Sequence, residues 1–258
     1  MPQTKIVFFD IDGTLIDMQA KKITPKMLET LHRLQDRGIK ICIATGRSPM
    51  VLPKIDGVAF DAYLTFNGSL CYDRKGVIFS NPIPHKDVVR FIQNAAALGR
   101  PVCVSTRDRL VANGADTDLT DYFFIANEPV PVADDFDAVC AEDIYQLMLG
   151  CRPKDYPALL DGAPGAKITA WWDRAVDVIP AGGGKGIGIE KMLAYYGLDK
   201  AEALAFGDGN NDREMLQAVG TGVAMENGSP ELKAIADEIC GPVYEDGIYH
   251  YCADKGLI

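Results

Sequence analysis

Short apolar runs alternate with amphipathic segments in the first third of the chain, and the same alternation returns near its end. Ile6–Phe9 is wholly apolar and predicts a buried strand. A helix is predicted next, because Thr24 and Pro25 provide a capping residue and a first-turn proline, and Gly38 ends a stripe of apolar residues at helical spacing. Further apolar runs predict strands over 39–44, 62–66, 203–206 and 221–225.

The segments between these strands indicate how the strands are joined. A helix is predicted from the end of the second strand, after Arg47, to about Lys54, and residues 70–80 predict a hairpin. Further helices are predicted over 185–196, through Met215 and Leu216, and from Ser229. Strands and helices in this order are typical of an α/β fold with parallel strands and right-handed crossovers.

The middle of the chain has a different pattern. Its apolar runs alternate with polar residues, as half-exposed strands do, and few crossover helices separate them, which predicts an antiparallel α+β insert. The predicted helices are 87–98 and 118–125, and the predicted strands are 101–105, 109–112, 143–149, 167–172 and 174–179. We therefore predict a core domain over 1–83 and 183–258, and an inserted domain over 84–182.

Composition and charge limit the possible partners. The chain has 258 residues, of which 48% are hydrophobic and 24% are charged, as in a soluble globular protein. The net charge of −10 argues against nucleic-acid or anionic-membrane partners, so an anionic substrate needs a local positive site. The seven cysteines form no Cys-x-x-Cys pair, and the first residues lack a signal-peptide pattern. We expect a cytoplasmic protein, monomeric or weakly homo-oligomeric, that acts on a small molecule.

Unusual polar residues come directly after the predicted core strands. They are Asp10, Asp12, Thr45, Asn67, Asp208 and Asp212. The carboxyl ends of parallel strands lie at one edge of a sheet, where ligands bind at the point of strand-order reversal. If the later strands return to the far side of the first, the four aspartates converge. Such a group of carboxylates predicts a hard-cation site, and Mg²⁺ suits it.

Other motif interpretations fail on spacing. Residues 208–212 resemble the start of an EF-hand loop, but Arg213 stands where glycine is needed and Val219 where the bidentate glutamate belongs. Residues 182–188 are glycine-rich but match neither the dinucleotide-binding fingerprint nor the Walker A pattern. The three histidines are not clustered, which argues against a zinc site.

The residue types fit phosphoryl transfer, which needs an in-line nucleophile, a metal and donors to the phosphate oxygens. Asp10 is the candidate nucleophile, because a carboxylate can form an aspartyl phosphate. Asp12 can protonate the leaving oxygen and then activate water. Thr45 with the backbone after it, and Lys185 at a second helix start, can hold the phosphate. The candidates that complete the metal site are Asp208 and Asp212, with Asn211 as an orienting neighbour.

Four segments resemble the motifs of the haloacid dehalogenase-like hydrolases, in particular the Cof-type phosphatases with a large cap. They are 10–15, 45–47, Lys185 and 207–212. The resemblance covers the whole chain and implies a Rossmann-like core with an α+β cap. It also implies a Mg²⁺-dependent enzyme that dephosphorylates a small metabolite, such as a sugar phosphate, a nucleotide or a cofactor phosphate, through an aspartyl-phosphate intermediate. It implies that the metal is held by Asp10, the Asp12 backbone carbonyl, Asp208 and Asp212, and that the phosphate or substrate meets Thr45, Gly46, Arg47, Asn67, Lys185 and Asn211.

Several alternatives remain open at the level of sequence. Arg47 could pair with a core carboxylate instead of facing substrate, and Thr45 and Asp212 could serve as helix caps. The chain could also be a phosphomutase on the same core, or a catalytically idle binding module. Asp12 favours a phosphatase over a dehalogenase, whose motif lacks this residue.

Overall fold

A computed structural model describes residues 3–125, 128–170 and 172–258 of the chain. It forms two compact units. Of the described residues, those within 1–47, 53–80 and 184–258 form the first unit, and those within 48–52 and 81–183 form the second. In the part of the chain described, no helix combines the length and the apolar character needed to cross a membrane.

The strands are short and lie in both units. In chain order they are β1 (Ile6–Phe9), β2 (Lys40–Ala44), β3 (Ala62–Thr65), β4 (Leu70–Asp73), β5 (Gly76–Ser80), β6 (Cys103–Ser105), β7 (Leu110–Ala112), β8 (Gln146–Gly150), β9 (Ala166–Thr169), β10 (Ala175–Pro180), β11 (Ala203–Gly207), β12 (Thr221–Met225) and β13 (Glu238–Cys240).

The α-helices fall between these strands. They are α1 (Pro25–Asp36), α2 (His85–Ala97), α3 (Thr117–Ile125), α4 (Phe136–Val139), α5 (Tyr156–Leu160), α6 (Lys185–Tyr196), α7 (Arg213–Gln217), α8 (Pro230–Lys233) and α9 (Gly247–Asp254).

The first unit is built on one sheet, in which the described strands have the order β13-β12-β11-β1-β2-β3-β4-β5. The strands from β13 to β3 run parallel, and β4 and β5 form an antiparallel hairpin at one end. Because β1 lies between β11 and β2, strand order reverses at β1, as predicted. The predicted α/β fold with a parallel core sheet is confirmed.

Local sequence explains why the first crossover helix forms where it does. The Thr24 hydroxyl accepts a hydrogen bond from the backbone N–H of Met27 at 3.1 Å and so caps α1. Met27, Leu31 and Leu34 recur at helical spacing and are buried. Gly38 follows the helix with a φ of 73°, a conformation that suits glycine.

The second unit contains an antiparallel sheet, in which the described strands have the order β7-β6-β8-β10-β9. One face carries Leu147 and Val176, which pack with Phe91 of α2. The other face carries Met148, which packs with Phe123 of α3. Helices on both faces explain why every residue of β8 is buried, where the sequence predicted a half-exposed strand over 143–149.

Two sequence predictions about local structure are wrong. The described residues between β2 and β3 form no α-helix; only a short 3₁₀ turn, Pro49–Val51, forms there, because Pro53 keeps the residue before it, Leu52, in an extended conformation. The strand predicted over 167–172 ends at Thr169. Trp171, which that prediction included, lies outside the described residues.

Candidate active site

The carboxyl edge of the parallel sheet brings together residues that are far apart in sequence. Asp10 directly follows β1, Thr45 follows β2, and Asp208 follows β11. Since β1 pairs in parallel with both neighbouring strands, these three residues leave the sheet at the same edge. The expected convergence at the strand ends is therefore present in the first unit.

Three carboxylates form the centre of this edge. Ligand atoms of Asp10, Asp208 and Asp212 all lie within 4.8 Å of one another. Asp10 is 6% exposed and Asp212 is fully buried, so the negative charges are largely removed from water. Neighbouring carboxylates in such surroundings repel each other and have lost much of their hydration. A bound cation would offset both effects.

Lys185 is the cation that lies among these acids. It is the first residue of α6 and its side chain is fully buried. Its Nζ donates to Asp10 Oδ1 at 2.6 Å and to Asp212 Oδ1 at 2.5 Å. Burial lowers the pKa of Lys185, but the two carboxylates outweigh this effect, and the net result is a raised pKa. Lys185 is therefore positively charged at physiological pH.

One lysine does not neutralise the whole group. Burial raises the pKa of Asp10 well above its ordinary value, and the neighbouring aspartates act in the same direction, against Lys185. Burial and the charge of Asp212 raise the pKa of Asp208 to about 7. These shifts measure the cost of keeping the acids ionised without further positive charge. The donor set of buried carboxylate oxygens thus fits a hard divalent cation such as Mg²⁺.

Thr14 and Gly13 fix the position of Asp208. The Thr14 hydroxyl donates to Asp208 Oδ1 at 2.9 Å, and Thr14 is only 1% exposed. Gly13 has a φ of 86°, and a Cβ there would lie 2.3 Å from Asp208 Oδ2. Sequence reasoning gave Thr14 no role, although its place in the 10–15 segment was the available signal.

Asp212 performs two structural tasks at once. Its Oδ2 accepts hydrogen bonds from the backbone N–H groups of Asp208 at 3.0 Å and Gly209 at 2.9 Å. Its Oδ1 bonds to Lys185. The alternative that Asp212 caps the helix beginning at Arg213 is wrong, because its side chain accepts no hydrogen bond from the first turn of α7. One oxygen instead holds the loop before it, and the other belongs to the charge cluster.

Thr45 does not stand at a helix start, contrary to the sequence prediction. Its hydroxyl accepts from the backbone N–H of Arg47 at 3.1 Å, and its carbonyl accepts from the backbone N–H of Asn67 at 2.9 Å. Gly46 lies close to Asn67, and a Cβ there would lie 3.1 Å from the Asn67 amide nitrogen, a tight contact. Thr45 thus belongs to a compact loop rather than to a helix.

Two further candidates from the sequence contact each other across the edge. The side-chain amide of Asn211 donates to Asn67 Oδ1 at 3.1 Å. Asn67 is 2% exposed and Asn211 is half-buried. This bond connects the loop after β11 to the turn after β3.

Arg47 pairs with Asp12, the alternative that the sequence left open. Its Nε donates to Asp12 Oδ2 at 2.8 Å, and a terminal nitrogen donates to Asp12 Oδ1 at 2.6 Å. The hydrogen bond to Asp12 is the main reason that the pKa of Arg47 is raised. Asp12 therefore faces Arg47, whereas the carboxylates of Asp10, Asp208 and Asp212 face each other.

The titration of Asp208 leads to a testable dependence of stability on pH. The pKa of Asp208 is 3.8 in ordinary surroundings and about 7 in the fold. Between these two pH values the folded protein keeps a proton on Asp208 that the unfolded chain has released. Without metal, the free energy of unfolding is expected to fall by about 2–4 kcal/mol as the pH rises from about 4 to about 7. Urea unfolding in the presence of EDTA measures this change.

Asp208→Asn is the control for this assignment. It keeps the side-chain shape and the bond from Thr14 but removes the charge. The variant is expected to be more stable than the parent at pH 8 without metal, with little difference at pH 4. Equal stability of both proteins at both pH values would contradict the raised pKa.

Comparisons with known proteins identify the family. The family model described as haloacid dehalogenase-like hydrolase matches residues 7–252. The chain belongs to this family. The resemblance inferred from the four motifs is thereby confirmed, and the chain is a phosphatase of the haloacid dehalogenase-like (HAD) family.

Individual relatives cover the whole chain. The Bacillus subtilis protein YkrA, named as a candidate phosphatase, is 35% identical over 257 residues and matches 99% of each chain. The solved structure of BT1666 from Bacteroides thetaiotaomicron, one of the HAD phosphatases, is 31% identical with a TM-score of 0.92, and the match covers 99% of this chain and 96% of that one. BT4131, a sugar phosphatase of HAD subclass IIB, is 28% identical with a TM-score of 0.89, and the match covers 99% and 100%.

Proposed function

We propose that this HAD phosphatase is a Mg²⁺-dependent phosphomonoester hydrolase that acts on small phosphorylated metabolites through an aspartyl phosphate on Asp10. The observation that carries the proposal is the buried group of Asp10, Asp208 and Asp212 around Lys185 at the carboxyl edge of the sheet. A nucleophile, a cation site and a fixed positive charge then occupy one place, which phosphoryl transfer requires.

The metal would be held by carboxylate oxygens of Asp10 and Asp208 and by the backbone carbonyl of Asp12, with Asp212 beside them. When bound, Mg²⁺ supplies positive charge that neutralises the phosphoryl oxygens and the surrounding acids. The raised pKa values of Asp10 and Asp208 support this assignment, because both acids need more positive charge than Lys185 provides.

The protein residues have distinct tasks in the proposed reaction. A carboxylate oxygen of Asp10 bonds to phosphorus as the bond from phosphorus to the leaving oxygen breaks, and Asp12 gives that oxygen a proton. Asp12 then takes a proton from water, whose oxygen bonds to phosphorus and releases Asp10 as a carboxylate and phosphate as product. Lys185, Thr45 and Gly46 are proposed to hold the phosphoryl oxygens.

The relatives support the class of substrate but not one compound. YitU of Bacillus subtilis, 28% identical, is named as a phosphatase of 5-amino-6-(5-phospho-D-ribitylamino)uracil. A relative in Yersinia pestis, also 28% identical, is named HMP-PP phosphatase, and BT4131 is a sugar phosphatase. We propose a small phosphorylated metabolite as substrate, and residues 84–182 as a cap domain that sets the choice among such molecules.

A substrate panel tests the proposal. We expect free phosphate release from some sugar phosphates, nucleotides, flavin mononucleotide or pyridoxal phosphate with Mg²⁺, complete loss of release with excess EDTA, and recovery when Mg²⁺ is restored. A colorimetric phosphate assay measures all three. Activity that persists in EDTA would contradict the metal dependence, and transfer of the phosphoryl group back to substrate without free phosphate would indicate a phosphomutase.

A further inference from the structure

The pairing of Arg47 with Asp12 is bidentate. The Nε and one terminal nitrogen each bond to a different oxygen of the Asp12 carboxyl group, at 2.8 and 2.6 Å. This fork geometry fixes the plane of a carboxyl group as well as its position, which a single hydrogen bond does not. The side chains of Arg47 and Asp12 are 30% and 33% exposed, so the pair lies at the border between the buried acids and solvent.

The backbone of Arg47 is held from both sides. Its N–H donates to the Thr45 hydroxyl at 3.1 Å, and its carbonyl accepts from the N–H of Phe66 at 3.0 Å. Phe66 and Asn67 both have a φ of 51°. Residues other than glycine adopt this backbone conformation rarely, and it is unusual for phenylalanine. This turn therefore helps to fix the backbone position from which the Arg47 side chain extends to Asp12.

We propose that Arg47 is a positioning residue that orients the carboxyl group of Asp12 for proton transfer to the leaving oxygen. The inference rests on the proposed function, since it takes Asp12 as the acid and base of that reaction. It assigns Arg47 a different task from the direct substrate contact that the family resemblance implies. To reach a phosphate with the same nitrogens, Arg47 would have to give up both bonds to Asp12.

The proposed role predicts where Arg47 matters in the reaction. As the bond from phosphorus to the leaving oxygen breaks, a proton moves from the Asp12 carboxyl to that oxygen, and Asp12 is left as a carboxylate. An alkyl alcohol needs this proton to leave, whereas p-nitrophenol leaves readily as an anion. Loss of orientation at Asp12 should therefore lower kcat/KM, which covers the steps up to departure of the leaving group, far more for alkyl phosphates than for p-nitrophenyl phosphate.

The test compares kcat and kcat/KM for an alkyl phosphate and for p-nitrophenyl phosphate in the parent and four variants. Arg47→Lys keeps the charge but cannot form the fork. We expect it to lower kcat/KM for the alkyl phosphate by about 10²-fold and kcat/KM for p-nitrophenyl phosphate by less than about 3-fold, whereas a fall in kcat from slower hydrolysis of the aspartyl phosphate is common to both substrates. Asp12→Asn should show the same selectivity, and the double variant should lose little beyond Asp12→Asn alone. Arg33→Lys, in an exposed pair with Glu29, is the matched control and should resemble the parent.

Each contrary result has a separate meaning. If Arg47→Lys mainly raises KM, and does so equally for both substrates, Arg47 binds substrate directly and the positioning role is wrong. If Asp12→Asn selects between the two substrates but Arg47→Lys does not, the proposed function stands and this inference falls. If Asp12→Asn lowers kcat/KM equally for both substrates, Asp12 is not the acid, and both proposals fall together.

Discussion

Asp10→Asn is expected to abolish phosphate release while the fold remains intact. An amide is a poor nucleophile and cannot form the acyl phosphate, so we expect a loss of at least about 10⁴-fold in kcat. The substitution keeps the shape of the side chain, and the backbone bond from Asp10 to Phe206 that continues the sheet is unaffected. It also removes a carboxyl group whose pKa is raised by burial, so the variant should be no less stable to unfolding than the parent.

Two measurements together test this expectation. Steady-state phosphate release with Mg²⁺ gives the loss of turnover in the variant. Mass spectrometry of acid-quenched parent enzyme is expected to detect a phosphoryl group on the peptide that contains residue 10. Asp36→Asn is the matched control, because Asp36 is an exposed acid at the end of α1. Parent-like activity in Asp10→Asn, or a phosphoryl group on another peptide, would refute the nucleophile assignment.

The core of the fold was predictable because its strands are buried on both faces. All four residues of Ile6–Phe9 are buried, and such strands read as continuous apolar runs bounded by glycine, proline or polar residues. The adjacency of β1 and β11 was a condition for the aspartates to converge, and the structure meets this condition. Hydrophobicity locates these strands along the chain but does not specify their order in the sheet.

The edges of the fold were not predictable in the same way. β13 was missed because it is three residues long, and Ile239 at its centre is 54% exposed. A strand of this kind forms through its pairing with β12, and its own sequence carries no alternation that identifies it. The helix expected after Arg47 does not form because Pro53 keeps Leu52 in an extended conformation, so only one 3₁₀ turn fits before it.

The site was predictable at the level of residues but not of partners. A carboxylate after a buried strand is an unusual feature, so Asp10 and Asp208 could be found from sequence. The partner of each polar group depends on side chains that meet only in the fold: Thr14 with Asp208, and Arg47 with Asp12. No spacing in the chain specifies these pairs, because 194 and 35 positions separate their members.

Lys185→Met is expected to damage both stability and catalysis. The substitution removes the buried cation that bonds to Asp10 and Asp212 and leaves both acids without it. Breaking a buried ion pair from one side costs about 3–5 kcal/mol, because the remaining charge is uncompensated. We also expect kcat to fall by about 10²–10³-fold, since a preorganised donor to the phosphoryl oxygens is lost.

The dependence of the stability loss on pH and on metal distinguishes the loss of a buried charge in Lys185→Met from a simple loss of packing. In the metal-free variant, the pKa of Asp10 should rise further, so the loss of stability should be largest above neutral pH and smaller near pH 4, where Asp10 holds its proton. Mg²⁺ should narrow the difference in unfolding free energy between variant and parent, because it replaces part of the missing charge. Lys191→Met, an exposed position on the same helix, is the matched control. A loss of stability in Lys185→Met that is the same at all pH values and unaffected by Mg²⁺ would mean that Lys185 serves packing alone.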